Sequence, residues 1–210
     1  GCPDFDWPDI YSCAKDLGYD GIEMRGMGND IFDIHAKPFT KENLPATVEK
    51  LRRMRLEIPC LSSGCALNHP ERRAENVAEL RGYIDLAAAL GTPYVRVLCD
   101  EHAAPDGDLV DDALIVSILR ELAPYAEEKN VTLLCETNGV YAHTDRLAGV
   151  IAEVESDSVA ALWDLHHPYR YAGESPEQTV QHLGAFIKYT HIKDSVMQNG
   201  RVVYKMMGEG

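Results

Sequence analysis

The chain has 210 residues, 45% of them hydrophobic, and a formal net charge of −14. That is enough apolar material for a sizeable core, expected as one domain over residues 1–210. The acidic balance repels phosphate backbones and anionic membranes, so neither nucleic acid nor a bilayer is an expected partner, while a local positive pocket for a small anion stays compatible.

Helix and strand patterns alternate along the whole chain. DWPDIYSCAKDLG (6–18) reads as a helix closed by Gly18. GIEMR (21–25) reads as a strand followed by the loop GMGND (26–30). That loop lacks a full GxGxxG and opens no helix, which leaves a nucleotide cradle as the alternative reading. EIPCLSS (57–63) is the second strand; ALNHPERR follows, where Asn68 and His69 fit either a helix start or a loop. Residues 71–90 place Val77, Leu80, Ile84 and Ala87 at helical spacing before Gly91. PYVRVL (93–98) is a strand, and residues 109–129 repeat the helical spacing with Leu114, Ile118, Leu122 and Tyr125 before Asn130. VTLLCE (131–136), VAALWD (159–164) and FIKYTH (186–191) complete six strands, with Gly184 as the stop before the last.

Serial βα units demand parallel strands joined by right-handed crossovers. Both a (β/α)8 barrel and an open doubly wound sheet satisfy that. The barrel is expected here, because polar candidates leave the core after many strands instead of at one switch point. Six strands are two short of eight, so the first and last strands are expected to be absent from these 210 residues. The cysteines Cys2, Cys13, Cys60, Cys65, Cys99 and Cys135 form no CxxC pair, and several lie in apolar runs. Reduced thiols of a cytoplasmic protein are expected, not a disulfide scaffold. Neither a signal peptide nor a span of the bilayer is expected from these residues.

Glu136 ends VTLLCE, Asp164 and His167 follow VAALW, His191 ends FIKYTH and Glu209 sits in the terminal GEG. Singly, each has an ordinary explanation: a surface glutamate, an N-cap with a chance histidine, a structural histidine, a turn residue. Together they deliver oxygen and nitrogen donors from successive strand ends, which is how a barrel assembles a metal site. His166 is aimed away from that site by strand alternation. Trp163 packs in the barrel wall, and His35 and His143 carry no assigned role. His102 in CDEHAAP is either a loop residue or a group at the site mouth.

GYDGIEMRG, LGTPYVRVL, LLCETN, WDLHH, YTHIKDS and GEG, in this order, resemble the xylose-isomerase-like TIM-barrel superfamily, and within it the sugar (phosphate) isomerase/epimerase branch. The resemblance implies one divalent metal ion on Glu136, Asp164, His191 and Glu209, with Mn²⁺ first and Mg²⁺, Co²⁺ or Zn²⁺ as alternatives. It implies Glu136 and Glu209 as the proton-transferring pair, with His167 and Glu23 at the substrate; His102 is the further substrate-side candidate from its place after PYVRVL. The implied reaction is isomerisation or epimerisation of a small sugar, sugar phosphate or keto-polyol through an enediolate. A lyase acting by inosose dehydration or C-glycoside cleavage is the alternative, and a non-catalytic sugar-binding barrel is more remote. An abasic-site endonuclease of the same superfamily carries Asp-x-His before its GEG; VVYKMM (202–207) offers no such donor here. Asp194 fits either a group orienting a metal ligand or a solvated loop. A small-molecule carbohydrate is the expected partner, with homo-oligomerisation left open.

Overall fold

The computed structural model describes residues 4–27, 34, 36–105 and 109–210. Cys2, His35 and most of GMGND lie outside the described residues. The elements run α1 (Trp7–Asp16), α2 (Leu44–Met54), β1 (Cys60–Ala66), α3 (Arg73–Leu90), β2 (Tyr94–Leu98), α4 (Asp112–Glu128), β3 (Thr132–Glu136), α5 (Thr144–Val154), β4 (Val159–Asp164), α6 (Pro176–Leu183), β5 (Ile187–His191), β6 (Asp194–Gln198) and β7 (Arg201–Lys205). Strands β1 to β5 form one parallel sheet in chain order, each crossover carrying a helix. This is the arc of a (β/α) barrel, as the alternating pattern requires.

Two details differ from the sequence reading. GIEMR is not a full strand: it touches β1 and the residues before it through two parallel bridges, Gly21 with Glu57 and Met24 with Leu61. Secondly, β6 and β7 make an antiparallel hairpin where loop was expected. Its turn is Asn199–Gly200, with φ of 51° and 74°. Two successive left-handed residues are what a tight hairpin matched to strand twist needs. Among the expected helix stops, Gly18, Gly91 and Asn130 are left-handed. Gly184 is not: its φ is −53°, and a Cβ there would stand 2.5 Å from the Val180 carbonyl oxygen, so close approach explains this glycine.

Strand register sorts the side chains into two cores. Leu61, Val95, Val97, Leu133, Cys135, Val159 and Ala161 face the helices and join Leu80, Ile84, Ile118, Leu122, Leu147 and Ile151 in the main cluster. The alternate residues face the barrel axis. There Leu134, Ala160 and Leu162 pack with Tyr94 and Tyr189 into a second, smaller cluster. Parallel pairing sets Arg96 beside Leu134 and Glu136 beside Leu162, at the edge of this apolar plug, and Asp164 beside His191 at the carboxyl ends of β4 and β5. Among the described residues, no helix is long and apolar enough to cross a membrane.

Candidate active site

The carboxyl ends of β3, β4 and β5 bring Glu136, Asp164 and His191 together. Each offers a ligand atom, and those atoms lie within 4.8 Å of one another. His191 Nδ1 is 3.1 Å from Glu136 Oε1, and its Nε2 is 2.9 Å from Glu23 Oε2. Glu23 therefore reaches this cluster from the bridged segment at the sheet edge. It also accepts a short hydrogen bond from the Ser62 hydroxyl. One imidazole with two or three carboxylates is a donor set that suits a hard or borderline divalent cation.

Buried carboxylates need compensation, and the site supplies it. Arg96, 5% exposed on β2, lies 3.4 Å from Glu136 Oε2 and donates to Ser62 Oγ at 3.3 Å. Burial alone would raise Glu136, but the hydrogen bond to His191 and the Arg96 charge outweigh it and hold the carboxyl at about 2. Burial would likewise lower His191; its bonds to Glu136 and Glu23 prevail and lift it to about 9. Glu23 is lowered by the same imidazole and by Ser62, again against desolvation. Without a metal ion, the protonated His191 is thus the cation that the two glutamates share.

On the other side of Asp164 stands a second group. Asp164 is fully buried; its backbone N–H donates to Thr137 Oγ1 at 2.9 Å, and its Oδ1 accepts the His166 N–H at 3.0 Å. Lys193 Nζ contacts Asp164 Oδ2 at 2.5 Å and His167 Nε2 at 2.9 Å. His167 Nδ1 sits 2.9 Å from the Thr137 carbonyl. His167 and His166 are both lowered, mainly by burial. His166 points to Ser195 Oγ at 2.8 Å, and Arg170 Nε reaches the same hydroxyl at 2.9 Å, which fastens the β6–β7 hairpin beside the site.

Not every expected residue joins. Glu209 is exposed and stands outside the Glu136–Asp164–His191 group. Asp194 accepts the backbone N–H groups of Ser195, Gly208 and Gly210 and so pins the terminal segment to the hairpin. His102 is half exposed, with Asp100 at 3.6 Å and Glu101 at 3.8 Å; His69 pairs with the same Glu101 at 3.1 Å. A further group, Asp145, Glu174 and His182, has donor spacing too. There Glu174 accepts the Thr144 N–H at 2.9 Å, so it acts as a cap on the start of α5. Arg96 and Ser62 were absent from the sequence reading. The legible signal was a lone arginine inside the apolar run YVRVL, which cannot be buried without a carboxylate partner.

Residues 12–210 match the family model described as xylose isomerase-like TIM barrel. No curated protein sequence matches significantly. Among solved structures, the IolI protein with a bound zinc atom superposes with a TM-score of 0.81 at 20% identity, covering 99% of this chain and 76% of that one. The probable 3-DHS dehydratase AsbF from Bacillus anthracis gives 0.74 at 19% identity, covering 92% and 69%. D-psicose 3-epimerase, determined in the presence of D-fructose, gives 0.72 at 15% identity, covering 90% and 68%. At these identities the likeness establishes the fold.

Proposed function

The chain belongs to the xylose isomerase-like TIM-barrel family, and from that premise we propose a divalent-metal-dependent isomerase or epimerase that acts on a small sugar, sugar phosphate or keto-polyol through an enediolate. The observation that carries this reading is the meeting of Glu136, Asp164 and His191 donor atoms within 4.8 Å at three consecutive strand ends. Glu209 is the fourth donor of the proposal. When bound, the ion supplies Lewis acidity toward a substrate carbonyl, with Mn²⁺ the first choice and Mg²⁺, Co²⁺ or Zn²⁺ the alternatives.

The chain's own residues divide the remaining work. Glu136 is ionised at neutral pH, so it receives a proton from the substrate carbon and cannot begin as the donor. Arg96 keeps that carboxylate oriented. Glu209 returns a proton to the opposite face or the neighbouring carbon. His167, Glu23 and His102 border the substrate in this proposal. The apolar plug of Leu134, Ala160 and Leu162 closes the floor and keeps water from below.

The test is to incubate the Mn²⁺-loaded protein with a panel of ketoses, their phosphates and inososes in D₂O. Deuterium entering at a carbon next to the carbonyl, with an epimer or isomer appearing, is expected. An elimination product without exchange into recovered substrate would replace the reading with a lyase.

A further inference from the structure

We propose that Glu23 is a positioning residue of the metal centre: its carboxylate takes the Nε2 hydrogen of His191 and thereby leaves the Nδ1 lone pair for the ion. The inference rests on the metal-dependent reading above and gives Glu23 a task beyond bordering the substrate. It starts from what each ring nitrogen faces. Nε2 has Glu23 Oε2 at 2.9 Å and Oε1 at 3.0 Å, so the carboxylate straddles it. An ionised carboxylate can only accept, so Nε2 carries the hydrogen. Nδ1 lies 3.1 Å from Glu136 Oε1. Glu136, Asp164 and His191 form a group of donor atoms within 4.8 Å of one another, and Glu23 is not part of that group. A neutral imidazole has one hydrogen and one lone pair. With the hydrogen held by Glu23, the lone pair lies on the side of Glu136, where the other donors are.

The surroundings of Glu23 hold it in one direction. Its segment is clamped by three backbone bonds: Ile22 N–H to the Glu57 carbonyl at 2.8 Å, Met24 N–H to the Cys60 carbonyl at 3.2 Å, and Ser62 N–H to the Met24 carbonyl at 2.8 Å. Met24 is buried in the helix-side core, so strand-like alternation turns Glu23 toward the barrel axis. There the Ser62 hydroxyl donates to Glu23 Oε1, and Arg96 Nε donates to Ser62 Oγ at 3.3 Å. The line Arg96–Ser62–Glu23–His191 therefore starts on β2 and ends on the imidazole of β5. A carboxylate behind a ligating imidazole fixes its tautomer and tilt and makes it a stronger donor. Such a group acts through the ring and has no need to touch the ion.

The experiment is NMR on the Zn²⁺-loaded protein with ¹⁵N-labelled histidine, together with Zn²⁺ titration calorimetry. Loss of one ring's signals in His191→Gln identifies that ring. In wild type its hydrogen should sit on Nε2, protected from exchange with water, with the ion on Nδ1. Glu23→Ala should speed that exchange and weaken Zn²⁺ binding roughly 10- to 100-fold, the scale of a lost partner behind a metal ligand. Glu23→Gln should recover part of both, because an amide oxygen still accepts the hydrogen. An ion on Nε2 in wild type overturns the assignment, whatever the variants do. So does a Glu23→Ala protein with wild-type affinity, or one that loses affinity while the Nε2 hydrogen stays equally protected, which would make Glu23 a purely structural group. Affinity in Glu23→Gln no higher than in Glu23→Ala overturns it as well. Deuterium exchange into a ketose with the ion on Nε2 overturns the role of Glu23 and leaves the isomerase reading. Absence of exchange on every ketose, with the Nε2 hydrogen and the affinities as expected, overturns the isomerase reading and leaves Glu23 assigned. A wild type that binds no Zn²⁺ overturns both.

Discussion

At the scale of single residues, the site is a contest between protons and a divalent ion for the same lone pairs. His191 lies between Glu136 and Glu23 and is lifted to about 9, so a metal taking His191 must displace a proton at neutral pH. Mn²⁺ affinity should therefore climb roughly tenfold per pH unit from about 6 to about 9, with one proton released. Titration calorimetry in buffers of different ionisation enthalpy measures both; flat affinity over that range would remove His191 from the ligand set. The glutamates are separable by charge alone. Glu136→Gln and Glu209→Gln keep an oxygen donor and lose the basic carboxylate. Turnover should fall by about 10²–10⁴ in each while metal stays bound, the usual scale of a lost general acid or base. If the enzyme interconverts two epimers, each variant should lose proton exchange mainly from one of them, which NMR in D₂O distinguishes. Equal loss on both epimers would point to ligation without proton transfer.

At the scale of elements, the site depends on how the loops after β2 and β3 are tied together. Asp100 is fully buried just past β2. It accepts the Val140 N–H at 2.9 Å and the His102 N–H at 3.1 Å, and its own carbonyl takes the Asn138 amide at 2.9 Å. Gly139 makes this approach possible: its φ is 55°, and an added Cβ would collide with the Asp100 carboxylate. Asp100→Ala should leave the buried Val140 N–H unpaired and cost about 2–4 kcal/mol. Urea unfolding measures it, and a change under about 0.5 kcal/mol would show that the loops hold without this bond. Nothing in the pattern of CDEHAAP singles out Asp100, because Asn138 and Val140, which tie it to the next loop, lie 38 and 40 residues away. The β6–β7 hairpin was missed for a related reason. Its Asn-Gly turn signal is plain, but its two strands are largely exposed and carry little apolar alternation.

At the scale of the whole molecule, the charged cluster couples folding to pH in the metal-free protein. His191, raised from 6.5 to about 9, contributes stability that is fully present below pH 6.5 and lost as pH rises through 9. Glu136, lowered from 4.5 to about 2, contributes stability present above pH 4.5 and lost as pH falls through 2. Their joint contribution is therefore largest between about pH 4.5 and 6.5. Chemical denaturation from pH 4 to 10 should show wild type losing more stability above pH 6.5 than His191→Gln does. Parallel curves for the two proteins would mean that the imidazolium adds nothing to folding.

What the sequence determined by itself was periodic or local. Apolar runs too short for helices, separated by amphipathic stretches, force a parallel sheet with crossovers, and Gly91 and Asn130 end helices where left-handed φ is needed. The placement of Glu136, Asp164 and His191 at strand ends was equally legible, because a strand's last residue is set by where its apolar run stops. Tertiary structure alone decided which of those groups meet. Register stacks Asp164 against His191 and lifts Glu136 above Leu134, while Glu209 stays exposed outside the group. It also decided what neutralises them: Arg96, two strands from Asp164, and Lys193, 29 residues beyond Asp164 in the chain. The physical reason is range. Propensity and burial pattern act over a few residues, whereas a buried charge is satisfied by whatever the curvature of the sheet carries to it.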